Sequence, residues 1–179
     1  MNKAIFIDKD GTLINDIPYN VDPHLVRLEN YALESLWQFQ RQGYSLVVVS
    51  NQSGIEAGYF YEDDLINVQN KIAELLSEKE VQLNGFYYCP HLEKSKCNCR
   101  KPKPGLLLKA AEDLQIDLSR SWMIGDILND VEAGRMARCK TILLDCGNET
   151  EWIWNKQRQP DYIANTWLDA AQVIRFYNE

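Results

Sequence analysis

Asp8 and Asp10 stand two residues apart directly after the apolar run "AIFI" (4–7). If extended geometry persists past that run their side chains point the same way, and Gly11 behind them permits a sharp exit close to a ligand. Aspartates are also common in turns, so the bare pair reads equally well as a surface Asx turn. Two other apolar runs end on groups that suit a ligand. "SLVVVS" (45–50) leads into Ser50, Asn51, Gln52, Ser53 and Gly54, a hydroxyl and amide cluster able to hold an anion with neutral donors. "WMIG" (122–125) leads into Asp126, with Asp130 four residues on. Carboxylates gathered on one rim suit a hard cation such as Mg²⁺, which takes oxygen ligands and bridges to phosphate.

A second constellation is "CPHLEKSKCNC" (89–99), which holds three of the five cysteines and one of the two histidines. Cys89, His91, Cys97 and Cys99 form two Cys-x-His/Cys pairs around five intervening residues, and three thiolates with one imidazole suit tetrahedral Zn²⁺. Four protein ligands leave no position for water, so the role expected of such an ion is structural. A disulfide such as Cys89 to Cys97 and a catalytic thiol are the competing readings. Cys139 and Cys146 stand apart and read as ordinary residues.

These groups need a scaffold. A chain of 179 residues, 45% hydrophobic, can bury one sizeable core and is expected to form one domain over residues 1–179. The N-terminus lacks a long apolar signal region, and no stretch reaches the eighteen apolar residues of a membrane span. A soluble, cytoplasmic protein with reduced thiols is therefore expected, which disfavours the disulfide. A net charge of −7 argues against a general nucleic-acid binder. The runs at 4–7, 45–50, 85–89, 122–125 and 141–145 are short and almost wholly apolar, as strands buried on both faces are. Between them, 31–43, 61–80, 104–115 and 128–139 have helical periodicity, and a last helix, about 167 to 177, follows a possible edge strand at 161–164. This alternation predicts an α/β, three-layer Rossmann-like domain on a doubly wound parallel sheet, with ligands at the carboxyl ends of the strands. Residues 146–160 read as a surface loop.

With these residues in hand, the chain resembles the haloacid dehalogenase (HAD) superfamily of phosphohydrolases. "DKDGTL", "VVVSNQSG", the lysine of "RKPKPG" and "GDILND" match its four motifs in order, over most of the chain. The resemblance implies that Asp8 is the nucleophile, accepting the phosphoryl group as an aspartyl phosphate. It implies that Asp10 is the general acid and then base, and that Asp8, Asp10 through its main-chain carbonyl, and Asp126 hold Mg²⁺. Ser50 and Asn51 would bind phosphoryl oxygens, Lys101 would supply further positive charge, and Asp130 would orient Lys101 or metal-bound water. "YYCPH" followed by "CNCRKPKPGLL" resembles the zinc-containing branch that includes heptose 1,7-bisphosphate 7-phosphatases and histidinol-phosphate phosphatases. "LVVVSNQSGIEAGYF" and "FYYCPH" resemble the heptose enzymes more closely. Two departures from the enterobacterial heptose phosphatase fall near the substrate: the shorter zinc loop, and Ile127 after Asp126 where that enzyme has lysine.

No cap domain fits between "DGTL" and the first helix, and one helix fills the gap after the second motif, so loops must wall the site. The zinc-pinned loop is one wall. Residues 94–103 hold Lys94, Lys96, Arg100, Lys101 and Lys103 and no acidic residue. This local excess can focus an anion, and Arg100 could grip the second phosphate of a bisphosphate through two donors. Residues 15–23 form the opposite wall, with Tyr19 and Asn20 placed to touch a sugar. The expected function is Mg²⁺-dependent removal of the 7-phosphate of D-glycero-D-manno-heptose 1,7-bisphosphate, on the route to the activated heptose of lipopolysaccharide or surface glycan. Histidinol phosphate is the second candidate substrate, and a phosphate-binding module without catalysis the third reading. The expected partner is a small phosphorylated metabolite, without nucleic acid or membrane, and the protein is expected to be a monomer.

Overall fold

A computed structural model describes residues 1–177. Its core is one six-stranded sheet whose strands are β1 (Lys3–Ile7), β2 (Tyr44–Asn51), β3 (Gly85–Cys89), β4 (Trp122–Gly125), β5 (Lys140–Leu144) and β6 (Tyr162–Ala164). All pairings are parallel, in the order β3-β2-β1-β4-β5-β6. The helices are α1 (Ala32–Arg41), α2 (Glu62–Ser77), α3 (Gly105–Leu114), α4 (Leu128–Met136) and α5 (Trp167–Tyr177). Two single turns of 3₁₀ helix lie at Pro23–Leu25 and Leu118–Arg120.

The strands alternate their side chains between two apolar layers, as period-two geometry requires. Ile5 and Ile7 of β1, with Leu46 and Val48 of β2, pack on Leu36 and Phe39 of α1, Val68 and Ile72 of α2, and Trp167 and Ile174 of α5. Ala4 and Phe6, with Val47 and Val49, face Leu106, Leu107 and Ala110 of α3 and Ala133 of α4. Both faces of the central strands are thereby covered, which is why their sequences read as unbroken apolar runs. Among the described residues no cap domain interrupts this three-layer fold, and no helix is long and apolar enough to cross a membrane.

Three helices end by the same device. Glu80, Gln115 and Arg138 adopt left-handed backbone at φ +55°, +54° and +67°. The next residue in each case, Val81, Ile116 or Cys139, is buried and returns its N–H to a carbonyl five residues back. This is the Schellman closure, with the apolar residue after the left-handed one supplying the contact. Glycine usually marks that position, and its absence here is why periodicity overran the ends of α2 and α4.

Candidate active site

Strand order puts the switch point at β1, which has β2 on one side and β4 on the other. Ile7 pairs with both Val48 and Ile124, so the residues that follow the three strands emerge on one rim. Asp8 extends β1 by one more bond, its N–H donating to the Ile124 carbonyl at 3.0 Å. Lys101 reaches in from the loop after β3. Its Nζ lies 2.5 Å from Asp8 Oδ1 and 2.6 Å from Asp130 Oδ1, and donates to the Val49 carbonyl at 2.9 Å. Only 3% of Lys101 is exposed, which excludes the solvated surface lysine. Asp126 accepts from Thr12 Oγ1 at 2.7 Å and from Asn148 Nδ2 at 2.9 Å. Oxygens of Asp8, Asp126 and Asp130 all lie within 4.8 Å of one another.

Three buried carboxylates thus lie together, and Lys101 pairs with two of them. Burial first, and then the charges of Asp8 and Asp130, push the Asp126 carboxyl up to about 8. Burial raises Asp8 to about 6 against the opposing pull of Lys101. Uncompensated negative charge of this kind, on hard oxygen donors, fits a divalent cation. Asp10 turns the other way: Lys9 Nζ donates to one oxygen at 2.7 Å and Gln52 Nε2 to the other at 3.0 Å. Burial raises its carboxyl as well, and Lys9 opposes the shift.

The polar cluster after β2 is shared out. Ser50 Oγ accepts from Gln52 Nε2 at 2.7 Å. Asn51 commits both ends of its amide to the main chain of Lys101, each at 3.0 Å, so its side chain holds the lysine loop in register with β2. Cys89, His91, Cys97 and Cys99 converge as the spacing predicts. Cys89 Sγ lies 3.0 Å from Cys99 Sγ, 3.7 Å from Cys97 Sγ and 3.4 Å from His91 Nδ1, and no two of the cysteines are bonded. Ligands about 2.3 Å from one ion in a tetrahedron stand roughly 3.7 Å apart, so donor set and spacing both fit Zn²⁺. The loop is braced from β2's side by Glu56, whose carboxylate accepts from the Leu92 N–H and from Ser95 Oγ.

The two walls expected to face each other line separate cavities. Arg100, with its Nη1 on the His91 carbonyl at 3.3 Å, lines a cleft of about 460 Å³ together with Lys101, Lys103, Ile127, Asn148 and Arg158. Tyr19 and Asn20 line a cavity of about 220 Å³ with Asp10, Gln52 and Ser53. Tyr59 packs edge-on against Tyr19, ring centroids 4.7 Å apart.

Residues 98–170 match the HAD-hydrolase-like family model. The chain is 39% identical, over 98% of both sequences, to the D-glycero-β-D-manno-heptose-1,7-bisphosphate 7-phosphatase of Pasteurella multocida. It belongs to the HAD superfamily of phosphatases. The enzyme of the same description from Escherichia coli K12 is 34% identical over 96% of this chain and 93% of that one. A putative HAD-like phosphatase structure from Mesorhizobium loti superposes with a TM-score of 0.81 at 30% identity, over 98% of this chain and 87% of that one. The D,D-heptose 1,7-bisphosphate phosphatase of B. bronchiseptica, solved with magnesium and phosphate, shares the fold with a TM-score of 0.83, at 24% identity over 99% of each chain.

Several residues of this phosphatase's site have no signal in the sequence. Lys9 looks like an ordinary lysine until it is found 1% exposed against Asp10. Asn148 lies in the stretch that reads as a surface loop, yet reaches Asp126. Trp167 of α5 donates from Nε1 to the Thr12 carbonyl at 2.9 Å and so braces the loop after β1. Gly11 is the exception, being visible from the start. At φ +76° a side chain is strained, and a Cβ there would lie 2.5 Å from both Asp126 Oδ2 and Asn148 Nδ2. Gly11→Ala should therefore displace Asp126, destabilise the fold by about 1–3 kcal/mol and weaken Mg²⁺ activation. Thermal melts and Mg²⁺ titration of phosphate release check this, and a variant with wild-type metal dependence would refute it.

Proposed function

We propose that this phosphatase removes the 7-phosphate of D-glycero-D-manno-heptose 1,7-bisphosphate, in the cytoplasm, through an aspartyl phosphate on Asp8. The observation that carries the mechanism is Lys101 Nζ bridging Asp8 and Asp130 beside Asp126 at the sheet's switch point. The activity by which the relatives are named, at 34–39% identity over nearly the whole chain, supports the substrate.

In this reading Asp8 attacks phosphorus with the oxygen that Lys101 does not hold, and the bond from phosphorus to the sugar oxygen breaks. Asp10 protonates the departing alkoxide, then takes a proton from the water that attacks the aspartyl phosphate, releasing inorganic phosphate and restoring Asp8. Lys9 and Gln52 keep the Asp10 carboxyl aimed at the leaving oxygen. Asp10 lines the smaller cavity, so the sugar leaves on the side of Tyr19 and Asn20. Lys101 and the hydroxyl of Ser50 meet the charge on the transferring group. Mg²⁺ on Asp8, the Asp10 main-chain carbonyl and Asp126 would offset repulsion between carboxylate and phosphate. Zn²⁺ on Cys89, His91, Cys97 and Cys99 would be structural, holding the loop that carries Arg100 and Lys101. The substrate lies along the rim between the two cavities, with its second phosphate toward Arg100.

The test is phosphate release with Mg²⁺ from both anomers of the heptose bisphosphate, from histidinol phosphate and from sugar monophosphates. The bisphosphate should be strongly preferred. Arg100→Ala should lower kcat/KM for it by roughly 10- to 100-fold, as loss of a charge-assisted hydrogen bond does, with little change for monophosphates. Preference for histidinol phosphate would retire the heptose substrate and keep the mechanism. No turnover of any substrate would favour a phosphate-binding module.

A further inference from the structure

We propose that Asn148 is a positioning residue for Asp126, and that residues 146–160 thereby help to set the enzyme's affinity for Mg²⁺. The inference rests on the assignment of Asp126 as a metal ligand. Asn148 Nδ2 donates to Asp126 Oδ2 at 2.9 Å, while Thr12 Oγ1 donates to Oδ1 at 2.7 Å. Each carboxylate oxygen is held by one donor and keeps lone-pair capacity for a metal. The two donors come from opposite directions in the chain, one from the loop after β1 and one from the loop after β5. Together they stop the carboxylate rotating about its final bond, and partners of this kind fix a ligand before the ion arrives.

Asn148 is itself held. Its Nδ2 also approaches the Gly11 carbonyl at 3.4 Å, in space open only because Gly11 has no Cβ. The rest of the segment is clamped onto α4 at two points. Glu149 accepts from the Leu128 N–H at 2.7 Å at the start of that helix, and Arg158 bonds Glu132 at 2.7 Å and Asn129 at 2.8 Å. α4 follows directly from Asp126 and carries Asp130, so one rigid unit holds the metal ligand, the partner of Lys101 and the loop that steadies the ligand.

Calorimetric titration of the full chain with Mg²⁺ alone, without substrate, tests this. Asn148→Ala should raise the Mg²⁺ Kd by about 10-fold, while the melting temperature in EDTA stays at the wild-type value because Asn148 is only half-buried. Asn148→Leu, which keeps the volume and removes the donor, should behave alike. A Kd within about twofold of wild type in either variant would overturn the proposal, since lost partners of metal ligands ordinarily cost more. So would a drop in the EDTA melting temperature that accounts for the weaker binding, because the loop would then be acting through packing. Wild-type protein that binds no Mg²⁺, like an Asp126→Asn control, would overturn the metal assignment itself.

Discussion

Asp8→Asn should reduce phosphate release by about 10⁴-fold or more, the scale seen when a catalytic nucleophile is deleted. The substitution keeps the shape of the side chain and its β1 position, so the loss reports chemistry. The amide cannot attack phosphorus, and no second nucleophile stands in its place. Asp126 is turned into the Thr12 and Asn148 hydrogen bonds, Asp130 is paired with Lys101, and Asp10 is held by Lys9 and Gln52. Stability should move the other way. Asp8 is one of two buried carboxylates sharing Lys101, with Asp126 close by, and Lys101 retains Asp130 and the Val49 carbonyl when Asp8 is neutralised. The metal-free variant should therefore melt no lower than metal-free wild type, as expected where an active site holds like charges together against stability. Activity within about tenfold of wild type would place the nucleophile elsewhere. A large drop in melting temperature would mean that the Asp8 to Lys101 pair supports the fold.

Cys99→Ser should cost about 100-fold in phosphate release without unfolding the sheet. Cys99 stands two residues before Lys101, and its partners Cys89 and His91 tie that short arm to the end of β3. With one of four ligands weakened, the arm is left to Glu56, Asn51 and the contact of Arg100 with the His91 carbonyl. A shift of about 1 Å in a group that meets the reacting phosphate is enough for a loss of that size. The larger apolar layer, under α1, α2 and α5, contains no residue of the loop, and the second layer touches it only through Cys89, Cys97 and Cys99. Elemental analysis should find one zinc per wild-type chain and little in the variant, with far-UV circular dichroism nearly unchanged. A zinc-free but fully active wild type would refute the structural ion. Global unfolding of the variant would show that zinc holds the core as well as the loop.

What the sequence determined by itself was whatever depends on residue type and short-range spacing. The strands were legible because both faces of the sheet are covered, which makes β1, β2 and β4 almost wholly apolar. The carboxylates were legible because each follows such a run, and the parallel register carries the residue after a run to the shared rim. The thiol and imidazole cluster was legible because its four residues fall within eleven positions, so chain geometry alone brings them close. The tertiary structure decided whatever depends on which loops meet. That Lys101 is buried between Asp8 and Asp130 follows from folding a loop after β3 back over β1 and β4; the motif resemblance picks it out, whereas residue type alone does not separate it from the exposed Lys103. Asn51 is expected to bind phosphoryl oxygens, and the structure adds a partner that spacing does not show, the main chain of Lys101. Tyr19 and Arg100 looked like facing walls and line different cavities, because the loop that carries Arg100 borders the segment after β5. Asn148 had no signal, since an asparagine in an irregular stretch is marked only by what it touches, and Asp126 lies 22 residues away along the chain. Spacing identifies the groups that do chemistry; only the packing of distant loops determines which of them share a charge, a proton or a metal.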